Sequence, residues 1–121
     1  MSKILVEVAS KGHSLLVDKL ISYGANIDHR DKYGFTALLL ASTHGHIDTV
    51  TILIHHGADI HCKTLIWAAY SGHTHIVTLL LKLGADINCK NTWGDTALRI
   101  AQHRHHTHIV DIINDYAVKK E

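Results

Sequence analysis

The chain has 121 residues, enough for one domain that buries roughly two-thirds of its unfolded surface. A formal net charge of +1 at pH 7 excludes bulk attraction to nucleic acid or to an anionic membrane. No run nears the roughly 20 apolar residues that cross a bilayer, and Glu7 interrupts the short apolar start MSKILVEVASKGHS, so no secretory leader is expected.

Glycines divide the chain into copies of one unit. Gly12, Gly45 and Gly72 are 33 and then 27 residues apart, and Gly24, Gly57 and Gly84 give the same two intervals. The third unit is therefore short by six residues. Taken in order, the units run over about 1–30, 31–62, 63–90 and 91–121. In the first, Leu16, Val17, Leu20 and Ile21 form the apolar stripe of a short helix. The second opens with TALLLASTH, which reads as a helix with Thr36 as its N-cap and Gly45 at the left-handed residue that ends it. HIDTVTILIHH then supplies a second helix with Ile47, Val50, Ile52, Leu53 and Ile54 on its apolar face. Ile76, Val77, Leu79, Leu80 and Leu81 repeat that face in the third unit, and Ile109, Val110, Ile112 and Ile113 in the fourth. Helices this short are marginal alone and need stacked neighbours. The stretches GANIDHRDKYGFT and GADINCKNTWGDT between units suit extended excursions with tight turns at Gly34 and Gly94.

The strings DKYGFTALLLASTHGHIDTVTILIHHGADIH and GHTHIVTLLLKLGADIN resemble ankyrin repeats over nearly the whole chain. The resemblance implies an all-α solenoid of stacked antiparallel helix pairs with short β-turn or hairpin excursions, forming a single domain over 1–121. It also implies a monomeric protein–protein interaction module, acting as an adaptor, competitor or targeting scaffold, that binds its partner through the concave face of hairpin tips and first helices. Carried over by position, that face comprises Arg30, Lys32, Tyr33 and Phe35 on one tip and Thr92, Trp93 and Asp95 on the other. Thr43, His44, Tyr70, Ser71, His103 and Arg104 join it from the first helices. For Tyr33 and Trp93, contact with a partner outweighs packing on their own hairpin base. Trp67, between Ile66 and Ala68 and equivalent to Leu40 and Ile100, is expected in the core.

The chain departs from the family in several places. The usual Thr-Pro-Leu-His start becomes TALL and TALR, and no proline occurs anywhere, which points to modest stability. The deficit falls where the fourth unit reads CKNTWGDTAL and the third only CKTL, so Lys63 or Thr64 must lead straight into a helix, with Thr64 the better cap. Either that deletion is neutral, or it opens a gap in the row of hairpins opposite Trp67 and Tyr70. Lys19, Asn114 and Asp115 stand where other units carry apolar residues, as the ends of a small complete array require.

Cys62 and Cys89 occupy the same place in successive units. Stacked helices lie about 8–10 Å apart, beyond the roughly 7 Å reach of a disulfide, so free thiols and a cytoplasmic setting are expected. Proline-free degenerate arrays of this family resemble those of large DNA viruses and intracellular bacteria, which adds a host cell as a setting. Of the thirteen histidines, His13, His46, His73 and His106 share one structural position at the start of second helices. The run HRHHTH, in which His105 replaces the usual glycine, supplies the alternative of a histidine-based metal-binding or pH-responsive module. No phosphate loop, nucleophile elbow or acid pair is present, and no cofactor or enzymatic activity is expected. Asp28, Asp59 and Asp86 read as loop formers.

Overall fold

The structure, a computed structural model, describes residues 1–119. Among these residues there are eight helices and no strand, and they divide into two compact units that meet between Ile60 and His61 in the sequence.

The first unit holds α1 (Ser2–Ser10), α2 (Ser14–Ser22), α3 (Ala37–Thr43) and α4 (Ile47–His55). At seven to nine residues each, none is long enough to persist alone. Packing supplies what propensity cannot: α1 lies on α2 and α3, and α4 on α3 and α2. The core is built from Leu5, Val6 and Ala9 of α1, and from Ala37, Leu38, Leu39 and Ala41 of α3. Val17, Val50 and Leu53 complete it from α2 and α4. Each buried valine or leucine contributes about 1.5–3 kcal/mol relative to exposure. Thr49 is also fully buried, and its hydroxyl meets Ser14 Oγ at 2.8 Å, which joins α2 to α4 without an unsatisfied group.

The second unit repeats the plan with α5 (Cys62–Ser71), α6 (Thr74–Lys82), α7 (Ala97–His103) and α8 (Thr107–Lys119). Here α5 packs on α6 and α7, and α8 on α7 and α6. Leu65, Ile66, Ala68 and Ala69 face Ala97 and Ala101 across the first-helix layer, while Ile76, Val77, Leu80, Leu81, Ile109 and Ile113 fill the second.

A histidine clip recurs in both units. His46 Nε2 donates to the Ser10 carbonyl at 3.0 Å, and His106 Nε2 to the Tyr70 carbonyl at 3.2 Å. Each ring lies against the glycine that ends the preceding first helix. A Cβ on Gly12 would stand 2.6 Å from His46 Nδ1, and one on Gly72 2.9 Å from His106 Cε1. Glycine is needed at these turns for its missing side chain as well as for its positive φ. The structural role expected of His46 and His106 takes this form.

Thr36 caps α3 as expected, its Oγ1 accepting the Leu39 N–H at 3.1 Å, and Thr96 caps α7 through the Arg99 N–H at 3.2 Å. Thr64 does not cap α5. His61 does, its Nδ1 accepting the Lys63 N–H at 3.2 Å, because the helix begins three residues earlier than Thr64 requires. Thr64 is buried inside the first turn, and its hydroxyl has no hydrogen-bond partner among the described residues.

The cysteines are not free: Cys62 and Cys89 are disulfide-bonded, with Cα atoms 5.8 Å apart. The distance between packed helix axes does not apply to them, and the free-thiol ground for a reducing compartment falls with it. Cys62 is the first residue of α5 and Cys89 lies in the loop ahead of α7, so neither is held in the middle of a helix. The aspartates divide as well. Asp86 closes its own loop by accepting the Asn88 N–H at 2.9 Å, whereas Asp28 reaches the next loop and accepts the Asp59 N–H at 2.9 Å.

Candidate functional site

Each unit projects one hairpin tip, and one polar residue builds each tip. Asp31 Oδ1 accepts the N–H groups of Tyr33 and Phe35, both at 2.9 Å. Its own N–H donates to the Phe35 carbonyl, and Gly34 N–H closes on the Asp31 carbonyl. Asn91 does the same with Trp93, Asp95 and Gly94. Sequence reasoning passed over Asp31 and Asn91, although Asp-x-x-Gly and Asn-x-x-Gly recur at the spacing of two whole units.

The tips hold aromatic rings in solvent. Tyr33 is 68% exposed and Trp93 82%. Tyr33 has a tilted contact with half-buried Phe35 at 6.0 Å, and Lys32 Nζ lies 5.1 Å from the Tyr33 ring centroid. Arg30 and Thr92 are exposed beside them. Asp95 is half-buried and forms an ion pair with Arg99 at 3.0 Å, which fixes the base of its tip on α7.

The first-helix residues behave differently from one another. Thr43 Oγ1 donates to the Leu39 carbonyl at 2.8 Å, so its hydroxyl is engaged by its own helix, while His44 is exposed at the end of α3. In the second unit Tyr70 and His103 are exposed and Ser71 is half-buried. Arg104, beyond the end of α7, places its guanidinium 4.0 Å from the centroid of the Tyr70 ring. Trp67 overturns the expectation of a core residue. It is exposed, and its ring meets that of Tyr70 edge-on at 5.4 Å. Apolar neighbours at 66 and 68 do not determine its fate, because adjacent helix positions point in directions about a quarter-turn apart. The structure thus assembles Trp67, Tyr70 and Arg104 into one cluster in the second unit, and Lys32, Tyr33 and Phe35 into another in the first.

The histidine run straddles the turn between α7 and α8, where His105 takes a positive φ of 61° in place of glycine. Among the described residues no three histidine, cysteine or acidic side chains come together to hold a metal. No helix there is long and apolar enough to cross a membrane.

Two-layered helix pairs, glycine turns with histidine clips and Asx-built tips define the architecture of one family. The chain belongs to the ankyrin repeats: a family model described as ankyrin repeats in three copies matches residues 2–64, and a second model, ankyrin repeats in many copies, matches residues 65–112. Among similar proteins, "Ankyrin repeat domain-containing protein 49" of Bos taurus is 40% identical over 65 residues, which is 53% of this chain and 27% of that protein. "Ankyrin repeat domain-containing protein 29" of Danio rerio is 43% identical over 56 residues, 46% of this chain and 19% of that protein. "Ankyrin repeat and SOCS box protein 6" of Homo sapiens is 35% identical over 67 residues, 54% of this chain and 16% of that protein. The chain therefore spans about a quarter or less of these relatives. Ankyrin repeats are in general protein–protein interaction modules, and the family is typically a non-catalytic scaffold.

Proposed function

We propose that this chain is a protein-binding module, an adaptor, competitor or targeting scaffold in the cytoplasm of its own or a host cell. It works as one monomeric domain over 1–121, with no cofactor and no role at nucleic acid or membrane. Its partner lies on the hairpin tips and first helices, touching Arg30, Lys32, Tyr33, Phe35, Thr43 and His44 in the first unit. In the second it touches Tyr70, Ser71, Thr92, Trp93, Asp95, His103 and Arg104.

One observation supports this reading above the others. Trp93 is 82% exposed on a tip whose backbone Asn91 already holds through two hydrogen bonds, so the indole is not needed to form the turn. Large aromatic side chains left in water on a rigid mount are what interfaces use as anchors, and truncating such an anchor typically costs more than 1 kcal/mol of binding. Affinity capture from a lysate tests the proposal. Proteins retained by the wild-type chain should be lost with the Tyr33→Ala, Trp93→Ala double variant, while its thermal melt stays unchanged. Equal capture by both chains refutes the reading.

A further inference from the structure

The cluster of Trp67, Tyr70 and Arg104 was not among the features that the repeat pattern requires. The positions equivalent to Trp67 are Leu40 and Ile100, both half-buried, so an exposed indole here is a local departure. The sequence repeat over 63–90 also has no hairpin tip of its own, since α5 begins at Cys62 directly after its capping histidine.

Charge on this layer of the second unit is one-sided. The helices α5 and α7 carry Lys63 and Arg99, Arg104 follows α7, and neither helix contains an aspartate or glutamate. Asp95, two residues before α7, is taken by Arg99. Asp111 and Asp115 belong to α8 in the other layer. No carboxylate pairs with Arg104 among the described residues; its guanidinium carbon instead lies over the Tyr70 ring, 4.0 Å from the centroid. A guanidinium held over a ring by cation–π attraction keeps N–H donors for a further partner, and those donors match a carboxylate in bidentate fashion. The ring contact also restricts the side chain in advance, so less side-chain entropy is lost when it is occupied. Beside it, Trp67 offers an apolar ring and an indole N–H.

We propose that Trp67, Tyr70 and Arg104 form a recognition site for an acidic linear segment of a protein partner, with a glutamate or aspartate carboxylate on the Arg104 fork and a neighbouring apolar side chain on Trp67. This deepens the protein-binding reading above and rests on it. Lys63, one helical turn before Trp67 on α5, adds attraction along the same segment. An acidic peptide fits better than a nucleic acid strand, because one arginine and one lysine do not make the continuous cationic track that a phosphate backbone needs.

The experiment uses the full chain and twelve-residue fluorescent peptides that alternate Glu with Leu and Phe, alongside the same peptides with Gln or Lys in place of Glu, read by anisotropy. The Glu peptides should bind about tenfold tighter than the Gln peptides, with the advantage shrinking as salt rises. Arg104→Gln should abolish the advantage and Arg104→Lys should restore only part of it. Trp67→Leu, a change to the residue type that Leu40 supplies at the equivalent position of the first unit, should weaken Glu and Gln peptides alike. Equal binding of Glu and Gln peptides, no binding of either, an advantage that survives Arg104→Gln, or tighter binding of an oligouridine strand each overturns the site. Lysate capture lost only in the Tyr33, Trp93 double variant, together with any of those failures, rejects this site while leaving protein binding itself intact.

Discussion

The histidine clip makes a quantitative demand on Gly12. Its φ is +75°, and a Cβ there would lie 2.6–2.9 Å from three atoms of the His46 ring. Gly34 has a similar φ of +82° but nothing within 4 Å of the added Cβ, so it isolates the backbone contribution. An alanine in that conformation costs about 1–2 kcal/mol of strain, offset by about 0.4–1 kcal/mol from restricting the unfolded chain. Gly34→Ala should therefore destabilise by about 1 kcal/mol. Gly12→Ala bears the same strain and also expels the His46 ring, losing its bond to the Ser10 carbonyl and the packing around it, for a total of about 2–3 kcal/mol. At about 3–5 °C per kcal/mol for a chain of this size, circular dichroism melts should fall by about 10 °C for Gly12→Ala and about 4 °C for Gly34→Ala. Adding His46→Ala to Gly12→Ala should recover about 1 kcal/mol relative to additivity. Equal melts for the two alanine variants, or a strictly additive cycle, would refute the clip as a source of stability.

Other outcomes follow from single positions. His105→Gly relieves a side chain held at a φ of 61° and should raise stability by about 1 kcal/mol; an unchanged or lowered melt contradicts the strain. Thr64→Val keeps the shape of a fully buried side chain but removes a hydroxyl without a partner, so urea titration should show a gain of up to about 1 kcal/mol, and a loss of that size refutes it. Reducing the Cys62–Cys89 bond, which closes a loop over a sequence separation of 27 residues, should cost about 3–4 kcal/mol on the chain-entropy account. Urea midpoints that coincide with and without a dithiol reductant, for a chain whose oxidised state is verified by mass, overturn that expectation.

Much of this architecture was legible because its determinants are local. The glycine intervals mark turns that only a residue without a side chain fills easily, and Thr36 stands directly before an apolar-periodic run, so both the helix pairs and the cap could be read. His105 at the glycine position was legible for the same reason. What escaped depends on geometry between segments. The reach between Cys62 and Cys89 depends on where α5 begins once its hairpin is missing, which an axis-to-axis distance does not describe. Trp67 was misplaced because its neighbours in sequence lie on other faces of the helix, and because nothing local announces that Tyr70 and Arg104 will meet beside it. Asp31 and Asn91 could have been found, since each is followed three residues later by glycine, but their role requires knowing that one oxygen accepts two N–H groups across the turn.

The way those two tips are framed bears on how such a chain changes over generations. Backbone closure belongs to Asp31 and Asn91, while the residues at 32–33 and 92–93 only ride on the finished turn. Substitutions there can therefore accumulate with little effect on folding, and a new binding preference can be tried without first rescuing the scaffold. Tyrosine on one mount and tryptophan on the other, over the same hydrogen-bond frame, are two fittings on one socket.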